Sequence, residues 1–219
     1  MRFTLLFTGF LIHFTACNPT NETSYLSDPA ELVNPLMGTD SEFTPGNGYT
    51  FPAIVRTWGM NFRAPQTGKL GNVWMHQYDA CKLRGFKQTH LPGSRINDYG
   101  KFSLIAARGK PVFDEDEWPS WFSRKAETVK PYLYEVYLAD YDVKAAFTAS
   151  ERAAGFEFTF PQSDSSNAII DVFDGGFWIK IIPEEKKAVG YTTKNSGGVA
   201  EKFKTKTNEY GILVETKII

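Results

Sequence analysis

The chain has 219 residues, and its 24 basic and 25 acidic side chains give a formal net charge of −1. No basic run is longer than a pair such as Lys186-Lys187, so charge does not support nucleic acid or an anionic membrane surface as a partner. With 42% hydrophobic and 15% aromatic residues, the chain can bury the core of one domain, and its Phe and Tyr content favours strands.

The N-terminus has the layout of a secretory signal peptide. Arg2 supplies a positive charge, and the apolar run 3–14 is too short to span a bilayer. The sequence FTAC, which ends at Cys17, resembles a bacterial lipobox. We therefore expect residues 1–17 to be a signal peptide with a lipobox-like end, and Cys17 to be lipidated. The alternative is a plain signal peptide with an incidental cysteine.

This interpretation predicts an exported bacterial protein. It would be lipid-anchored in the periplasm or at the outer-membrane or cell surface, and it would meet the membrane only through the anchor. Residues 18–30 are polar and without periodicity, which predicts a tether. Near its end, the sequence DPAEL predicts a short helical turn with Asp28 as N-cap and Pro29 at the first helical position. The remaining residues, 31–219, are assigned to one β domain.

A loop-rich stretch occupies residues 33–102, where Gly and Pro are frequent and Asp, Arg, His and Trp are interleaved. Such residues fix loops of definite shape, and loops often carry binding chemistry. Short strands are predicted at 50–55 and 100–106. Residues 111–130 are first acidic and then aromatic, and predict a surface excursion whose charges face solvent.

The clearest periodicity begins after that excursion. In the sequence PYLYEVYL the side chains of Tyr132, Tyr134, Val136 and Leu138 alternate with a second set. Further alternating runs follow at 143–150, 155–160, 167–173, 177–182 and 188–193, separated by turn residues. A weaker strand is predicted at 211–214. Period-2 runs at this spacing predict an all-β, antiparallel fold, most simply a two-sheet β-sandwich.

Three loop aspartates, Asp40, Asp79 and Asp98, are candidates for the paired carboxylates that hydrolyse sugars. The alternative is that each is a turn former or a cap. His76 and His90 are candidate general bases or metal ligands, although their spacing argues against zinc. His90 is the better functional candidate because Pro92 and Gly93 fix the loop that follows; a histidine satisfied by backbone groups is the alternative.

Two tryptophans, Trp58 and Trp74, are candidates for stacking on a sugar ring. The competing interpretation for both is packing in the core. From these residues alone, the chain is predicted to be an exported β-sandwich with a polar, aromatic loop cluster that suits carbohydrate binding.

Several motifs occur in a fixed order: VNPLMGTD, TFPAI, WGM, APQTG, RGFKQTHLPG, INDYGKF and YEVYLADYDVKAAFTASERAAGFEFTFP. From about residue 33 to about residue 203 the chain thereby resembles the N-terminal domain of glycoside hydrolase family 92, whose members are exported bacterial α-mannosidases that depend on calcium. The resemblance implies a β-sandwich followed by an (α/α)6 barrel that holds the calcium ligands and the catalytic carboxylates. It also implies inversion at the anomeric carbon, with a glutamic acid as general acid and an aspartate-assisted water.

The resemblance also implies a binding site between the two domains. The tryptophan of GNVWMHQYD is similar to the one that lines the bound mannose, so Trp74 is expected to contact a mannose-containing glycan. Gly38, Thr39, His90 and Asp98 lie in matching motifs and are expected to shape the substrate-binding site.

The chain departs from the family's pattern at its end. Residues 204–219 lack the aromatic strand expected after GGVAEKF, which leaves open whether the sandwich is complete at its C-terminal end. We expect a fragment without its partner barrel domain, with no catalytic residue, no metal ligand and no calcium of its own, and inactive alone. The alternatives are a stand-alone carbohydrate-binding lipoprotein and a structural lipoprotein whose aromatic residues are all in the core.

Overall fold

The computed structural model describes residues 28–40, 50–59, 62–68, 76–89, 102–172, 177–192 and 210–215. Within these ranges the regular structure consists of β-strands and short 3-10 helices. The strands are β1 (Phe62–Gln66), β2 (Lys82–Leu83), β3 (Gly85–Thr89), β4 (Ser103–Arg108), β5 (Ser120–Trp121), β6 (Thr128–Lys130), β7 (Leu133–Leu138), β8 (Val143–Ala149), β9 (Ala154–Thr159), β10 (Ser166–Asp171), β11 (Phe177–Ile182), β12 (Lys187–Thr192) and β13 (Tyr210–Glu215). The 3-10 helices are Pro29–Leu32, Arg124–Ala126 and Pro183–Glu185. No helix in these ranges is long and apolar enough to cross a membrane.

Two four-stranded antiparallel sheets form the body of the domain. The first sheet has the order β1-β3-β4-β10, and the second sheet has the order β6-β7-β8-β9. A two-stranded pair, β2-β5, and a three-stranded sheet, β11-β12-β13, accompany them. The predicted all-β fold with antiparallel sheets is confirmed.

The core lies between the first and second sheets. Phe86 of β3 is fully buried, and its ring centroid lies 5.1 Å from that of Phe147 in β8 and 6.0 Å from that of Tyr134 in β7. Phe156 and Phe158 of β9 stand at 6.0 and 6.4 Å from the same ring. Aromatic rings at these separations attract one another in addition to burying apolar area, so Phe86 is one of the residues through which the two sheets pack.

The alternation predicted for residues 132–138 is confirmed in β7, where Tyr134, Val136 and Leu138 are buried in turn. Tyr132 is the exception, because it precedes the strand and is exposed. Its hydroxyl donates a hydrogen bond of 2.7 Å to Glu31.

The helical turn predicted at DPAEL is confirmed as the 3-10 helix Pro29–Leu32. The Asp28 side chain accepts a hydrogen bond of 2.9 Å from the amide of Ala30, and Pro29 opens the helix. Glu31 in this helix pairs with Lys130 and accepts from Tyr132. The N-terminal turn is therefore fastened to the second sheet. Residues 1–27, including Cys17 and most of the predicted tether, lie outside the described ranges.

Two of the predicted strands differ from the structure. Residues 50–55 form no continuous strand; they contribute an isolated bridge in which Ile54 exchanges hydrogen bonds with Arg63 at 2.8 and 3.0 Å. Pro52 has no N–H to donate to a longer ladder. The strand predicted at 100–106 is β4 and covers Ser103–Arg108.

The interpretation of residues 111–130 as a solvated excursion is wrong in part. Trp118 and Ser120 are buried, and the Trp118 indole donates to the carbonyl of Arg84 at 3.2 Å. Arg84 in turn forms ion pairs with Glu115 and Asp116. The segment is therefore packed onto the domain through its tryptophan, and part of its acidic run is held by a largely buried arginine.

The predicted strand at 211–214 is confirmed as β13, which pairs along its whole length with β12. In the same three-stranded sheet, β11 exposes large apolar side chains. Phe177, Ile179 and Ile181 are 59%, 40% and 70% exposed. These three side chains lie outside the two-sheet core. We call them the apolar strand surface.

Candidate functional site

The predicted site residues fall into two groups. Trp74, His90 and Asp98 lie outside the described residues, so their roles stay predictions. Gly38 and Thr39 are described. The aspartates Asp40 and Asp79 are both exposed.

Gly38 and Thr39 end a tight turn formed by the VNPLMGTD motif. Gly38 has a φ of +79°, a conformation that side chains with a Cβ rarely adopt, and an added Cβ would lie 2.9 Å from the Thr50 Oγ1. The Thr39 side chain is buried, and its hydroxyl donates to the Leu36 carbonyl at 2.8 Å. Both residues therefore fix the shape of the turn, and their influence on a bound sugar stays a prediction.

The residues on either side of the Trp74 segment are described, although the segment itself is not. It leaves the described structure after Gly68, at the end of β1, and re-enters it at His76. The amide of Gln77 donates a hydrogen bond of 2.8 Å to the Thr67 hydroxyl. Gln66 adds a bond from its side-chain amide to the Gly68 carbonyl at 3.1 Å. Thr67 and Gln77 therefore lie side by side just beyond the end of β1.

Arg124 holds the returning end. From the 3-10 helix Arg124–Ala126 its Nε donates to the Tyr78 carbonyl and its Nη2 donates to the Gln77 carbonyl, both at 2.8 Å. Its Nη1 lies 3.2 Å from the His76 Nε2. Because a guanidinium only donates, this histidine nitrogen is the acceptor. One side chain thus contacts three consecutive residues.

The guanidinium is itself fixed from the other side. The Glu127 side chain is only 1% exposed. Both of its carboxylate oxygens accept hydrogen bonds from Nη1 of Arg124, at 3.1 and 3.0 Å. Its Cζ lies 4.7 Å from the Phe122 ring centroid and 5.2 Å from that of Tyr78. Stacking and ion pairing together leave Arg124 little rotational freedom. We call Arg124, Glu127 and His76 the arginine clamp.

His76 is buried at 2% exposure inside the arginine clamp. Burial, assisted by the positive charge of Arg124, lowers the pKa of His76 to about 3. The imidazole is therefore neutral at ordinary pH, with its proton on Nδ1, which is buried and unbonded. The sequence-based interpretation of His76 as a general base or metal ligand is wrong, because its ring is enclosed and its Nε2 already accepts from Arg124.

Tyr134 of β7 lies beside the clamp and closes it from the core side. Burial, followed by the negative charge of Glu127, raises the pKa of Tyr134 well above its usual range. The Tyr134 hydroxyl is buried, and no acceptor or donor lies in hydrogen-bonding geometry to it among the described residues. The clamp thus continues directly into the aromatic core around Phe86.

A row of three polar residues crosses the first sheet, and two of them, Lys87 and Ser103, are buried. In register, Lys87 of β3 stands opposite Ser103 of β4, which stands opposite Asp171 of β10. Burial lowers the pKa of Lys87 to about 7, and the charge of Asp171 opposes this shift. Lys87 lies in the RGFKQTHLPG motif, three residues before His90. Strand pairing at Lys87 therefore fixes the position of this motif in the first sheet.

The metal chemistry expected for the family was tested on the donors present. Calcium takes several carboxylate and carbonyl oxygens at once. In the described part of the chain no three His, Cys, Asp or Glu side chains lie close enough together to hold a metal ion. These residues therefore do not fit a calcium site.

Trp58 corrects another expectation. It is 95% exposed and adopts a positive φ of 62°, in a turn closed by a bond of 2.7 Å from the Gly59 amide to the Arg56 carbonyl. The core-packing interpretation of Trp58 is therefore wrong. The Arg124 contacts were also missed, because they join residues 46 to 48 positions apart and no local pattern signals them.

The two packed antiparallel sheets define a β-sandwich domain. Residues 32–215 match the profile described as Glycosyl hydrolase family 92 N-terminal domain. The chain belongs to this family, as the match covers most of its length.

Solved structures agree with this assignment. A family GH92 inverting mannosidase from Bacteroides thetaiotaomicron VPI-5482 is 40% identical with a TM-score of 0.70, over 78% of this chain and 23% of that chain. A family GH92 α-mannosidase from Bacteroides thetaiotaomicron is 29% identical with a TM-score of 0.64, over 74% and 23%. The present chain thus spans about a quarter of the length of these relatives. No curated protein matches it.

Proposed function

We propose that this domain is the N-terminal part of an α-mannosidase of the α-1,2 type that degrades mannose-containing glycans. Its loops supply contacts to the sugar, and a second domain supplies the calcium and the catalytic carboxylates. The observation that carries the proposal is the 40% identity to an inverting mannosidase over 78% of this chain. A related α-mannosidase, similar with a TM-score of 0.63, is described in complex with mannoimidazole.

Within this site we assign the sugar contact to Trp74. An indole presents a flat apolar face that suits the apolar face of a hexose. The described residues on either side of it support this assignment: the Gln77 amide donates to the Thr67 hydroxyl, and Arg124 donates to the Gln77 carbonyl. A ligand-binding side chain needs such support to be held in one position.

The test uses the intact protein with its proposed second domain and α-1,2-mannobiose as substrate. Trp74→Ala is expected to raise KM about tenfold or more, because a stacking contact worth ~1–2 kcal/mol is lost. The control is Phe113→Ala, which removes an exposed aromatic ring that is not a site candidate and should change kcat/KM less than about twofold. Equal kinetics for Trp74→Ala and the unmodified protein would contradict the assignment.

A second measurement separates the domain from the enzyme. Purified residues 18–219 are expected to leave α-1,2-mannobiose intact, and any turnover would overturn the assignment of catalysis to a second domain. If these residues bind mannan and lose that binding on Trp74→Ala but not on Phe113→Ala, the result supports the stand-alone carbohydrate-binding protein instead.

A further inference from the structure

We propose that the turn formed by residues 56–59 is a glycan-contact site, in which the Trp58 indole stacks on a sugar ring while Arg56 and Glu151 bind the hydroxyl groups of the sugar. The class of ligand rests on the proposed function. The geometry of the site rests on described residues alone and requires neither Trp74 nor the arginine clamp.

Trp58 is the residue of this turn that the fold itself does not explain. It is 95% exposed, and its φ of 62° is one that bulky residues rarely adopt. The bond from the Gly59 amide to the Arg56 carbonyl closes the turn, so Trp58 occupies the third position, where a positive φ normally goes with Gly or Asn. A tryptophan here buries almost no apolar area and adds backbone strain. Strained positions of this kind cluster at ligand-binding sites.

The base of the turn is fixed to both sheets. Ile54 exchanges backbone hydrogen bonds of 2.8 and 3.0 Å with Arg63 of β1 in the first sheet. The Val55 amide donates to the Pro131 carbonyl at 3.3 Å, in the connection between β6 and β7 of the second sheet. The indole is therefore presented from a fixed support, and a pre-positioned contact loses less freedom when a ligand binds.

Arg56 and Glu151 supply the polar half of the site. The Arg56 Nη1 lies 3.8 Å from the Glu151 Oε1, and the two side chains are 62% and 63% exposed. At that separation the two groups attract each other without a direct hydrogen bond. A sugar hydroxyl can accept from the guanidinium and donate to the carboxylate at the same time, because a hydroxyl is both donor and acceptor.

Glu151 is itself held in a closed turn between β8 and β9. The Ser150 amide donates to the Ala153 carbonyl at 2.8 Å, and the Ala153 amide donates to the Ser150 hydroxyl at 3.1 Å. The ion pair thus joins two supported turns. A purely apolar partner would cover this charged pair without replacing its contacts with water, which is costly. A sugar offers both an apolar face for the indole and hydroxyls for the charged groups, so a glycan fits the site better.

Three variants separate binding from folding. Trp58→Asn removes the indole and relieves the strain, because Asn tolerates a positive φ. Its unfolding free energy is expected to be unchanged or higher, since no buried contact is lost. Arg56→Met and Glu151→Gln each remove one charge of an exposed pair, which contributes little to stability. Phe113→Ala is the matched control, because it removes an exposed aromatic ring outside this turn.

The probe is soluble α-mannan, and the measurement is its Kd for the intact protein, with calcium chelated so that the polymer is not hydrolysed. Trp58→Asn is expected to raise Kd about fivefold or more, and Arg56→Met and Glu151→Gln about threefold or more each. Phe113→Ala should change Kd less than about twofold. An unchanged Kd in Trp58→Asn would overturn the inference. A Kd that rises together with a loss of unfolding free energy would assign the indole to the fold and would also overturn it.

Hydrolysis of α-1,2-mannobiose by the unmodified protein, with calcium present, distinguishes this inference from the proposed function. If mannobiose stays intact while Trp58→Asn weakens mannan binding, the proposed function fails and the glycan-contact site stands. If mannobiose is hydrolysed and mannan binding does not depend on Trp58, the site fails and the proposed function stands. Absence of mannan binding by the unmodified protein would overturn the site as well.

Discussion

At the scale of single residues, His76 shows how the fold assigns a role that residue type does not. An exposed histidine titrates near neutral pH and suits proton transfer. Enclosed beside Arg124, this one has its pKa lowered to about 3 and serves as a neutral hydrogen-bond acceptor. Its side chain therefore has a structural role in this domain.

The shift predicts a pH dependence of stability. The folded pKa lies below the ordinary value, so between about pH 3 and 6.5 the unfolded chain binds the extra proton and stability falls as pH falls. His76 is expected to contribute about 3 kcal/mol to the loss of unfolding free energy between about pH 7.5 and 4.5. The measurement is urea unfolding at both pH values, compared with His76→Gln, which does not titrate.

Carboxylates also titrate in this range, and they cancel in the comparison because both proteins carry them. Lys87, with its pKa lowered to about 7, makes stability rise with pH from about pH 7 towards its ordinary value near 10.5. It therefore contributes at pH 7.5 in both proteins and also cancels in the comparison. A stability difference between the two proteins that is the same at both pH values would refute the enclosed, neutral histidine.

Some residue roles could be predicted from the sequence. Asp28 and Pro29 carry the local signature of a helix start, and the structure places them there. Arg124 was not accessible, because its partners are 46 to 48 residues away and arginine before a strand has no distinctive pattern. Trp58 was left open between sugar stacking and core packing, and only its exposure in the structure rules out the core; nothing in the local sequence signals its positive φ.

At the scale of elements, the sandwich depends on the contact between β3 and the second sheet. Phe86 is fully buried and faces aromatic rings from β7, β8 and β9. Such a residue joins two sheets that share no backbone hydrogen bonds. Its loss would leave a cavity between them, because strands paired within their own sheets cannot move freely to fill it.

Phe86→Ala is therefore expected to lower the unfolding free energy by ~3–5 kcal/mol. Phe113→Ala makes the same chemical change at a residue that is 88% exposed, and should cost less than ~0.5 kcal/mol. The measurement is chemical denaturation. The slope of unfolding free energy against denaturant concentration is compared between the variants. Similar losses at the two positions would show that the two sheets do not pack through Phe86.

Alternating hydrophobicity located the elements from β7 to β12 within one or two residues, because each of these strands keeps a recognisable period along its length. It failed at residues 50–55 and 111–130. There the chain is held by single long-range contacts, such as the Ile54–Arg63 bridge and the Trp118–Arg84 bond. Contacts of that kind leave no period in the sequence.

At the scale of the whole molecule, the apolar strand surface of β11 stands apart from the two-sheet core. Alternation places Phe177, Ile179 and Ile181 on one face of the strand, and all three are exposed. A row of exposed apolar side chains on a strand favours association with another surface. The purified domain is therefore expected to self-associate through β11.

Ile181→Lys is expected to raise the concentration at which residues 18–219 self-associate by about fivefold or more, with little change in unfolding free energy. Thr159→Lys adds the same charge at an exposed position of β9 and serves as the control. Sedimentation velocity over a concentration series gives the measurement. Equal association for both variants would show that β11 is not the surface responsible.

The bond between Thr67 and Gln77 has a further consequence for how this domain can diverge. The hydrogen bond of 2.8 Å holds Thr67 and Gln77 together, so the residues between them can be exchanged while these two stay in place. Doubling the length of a loop between fixed ends costs only about 0.6 kcal/mol in closure entropy. The sandwich can therefore accept changes in the number of residues between Thr67 and Gln77 at little cost in folding free energy.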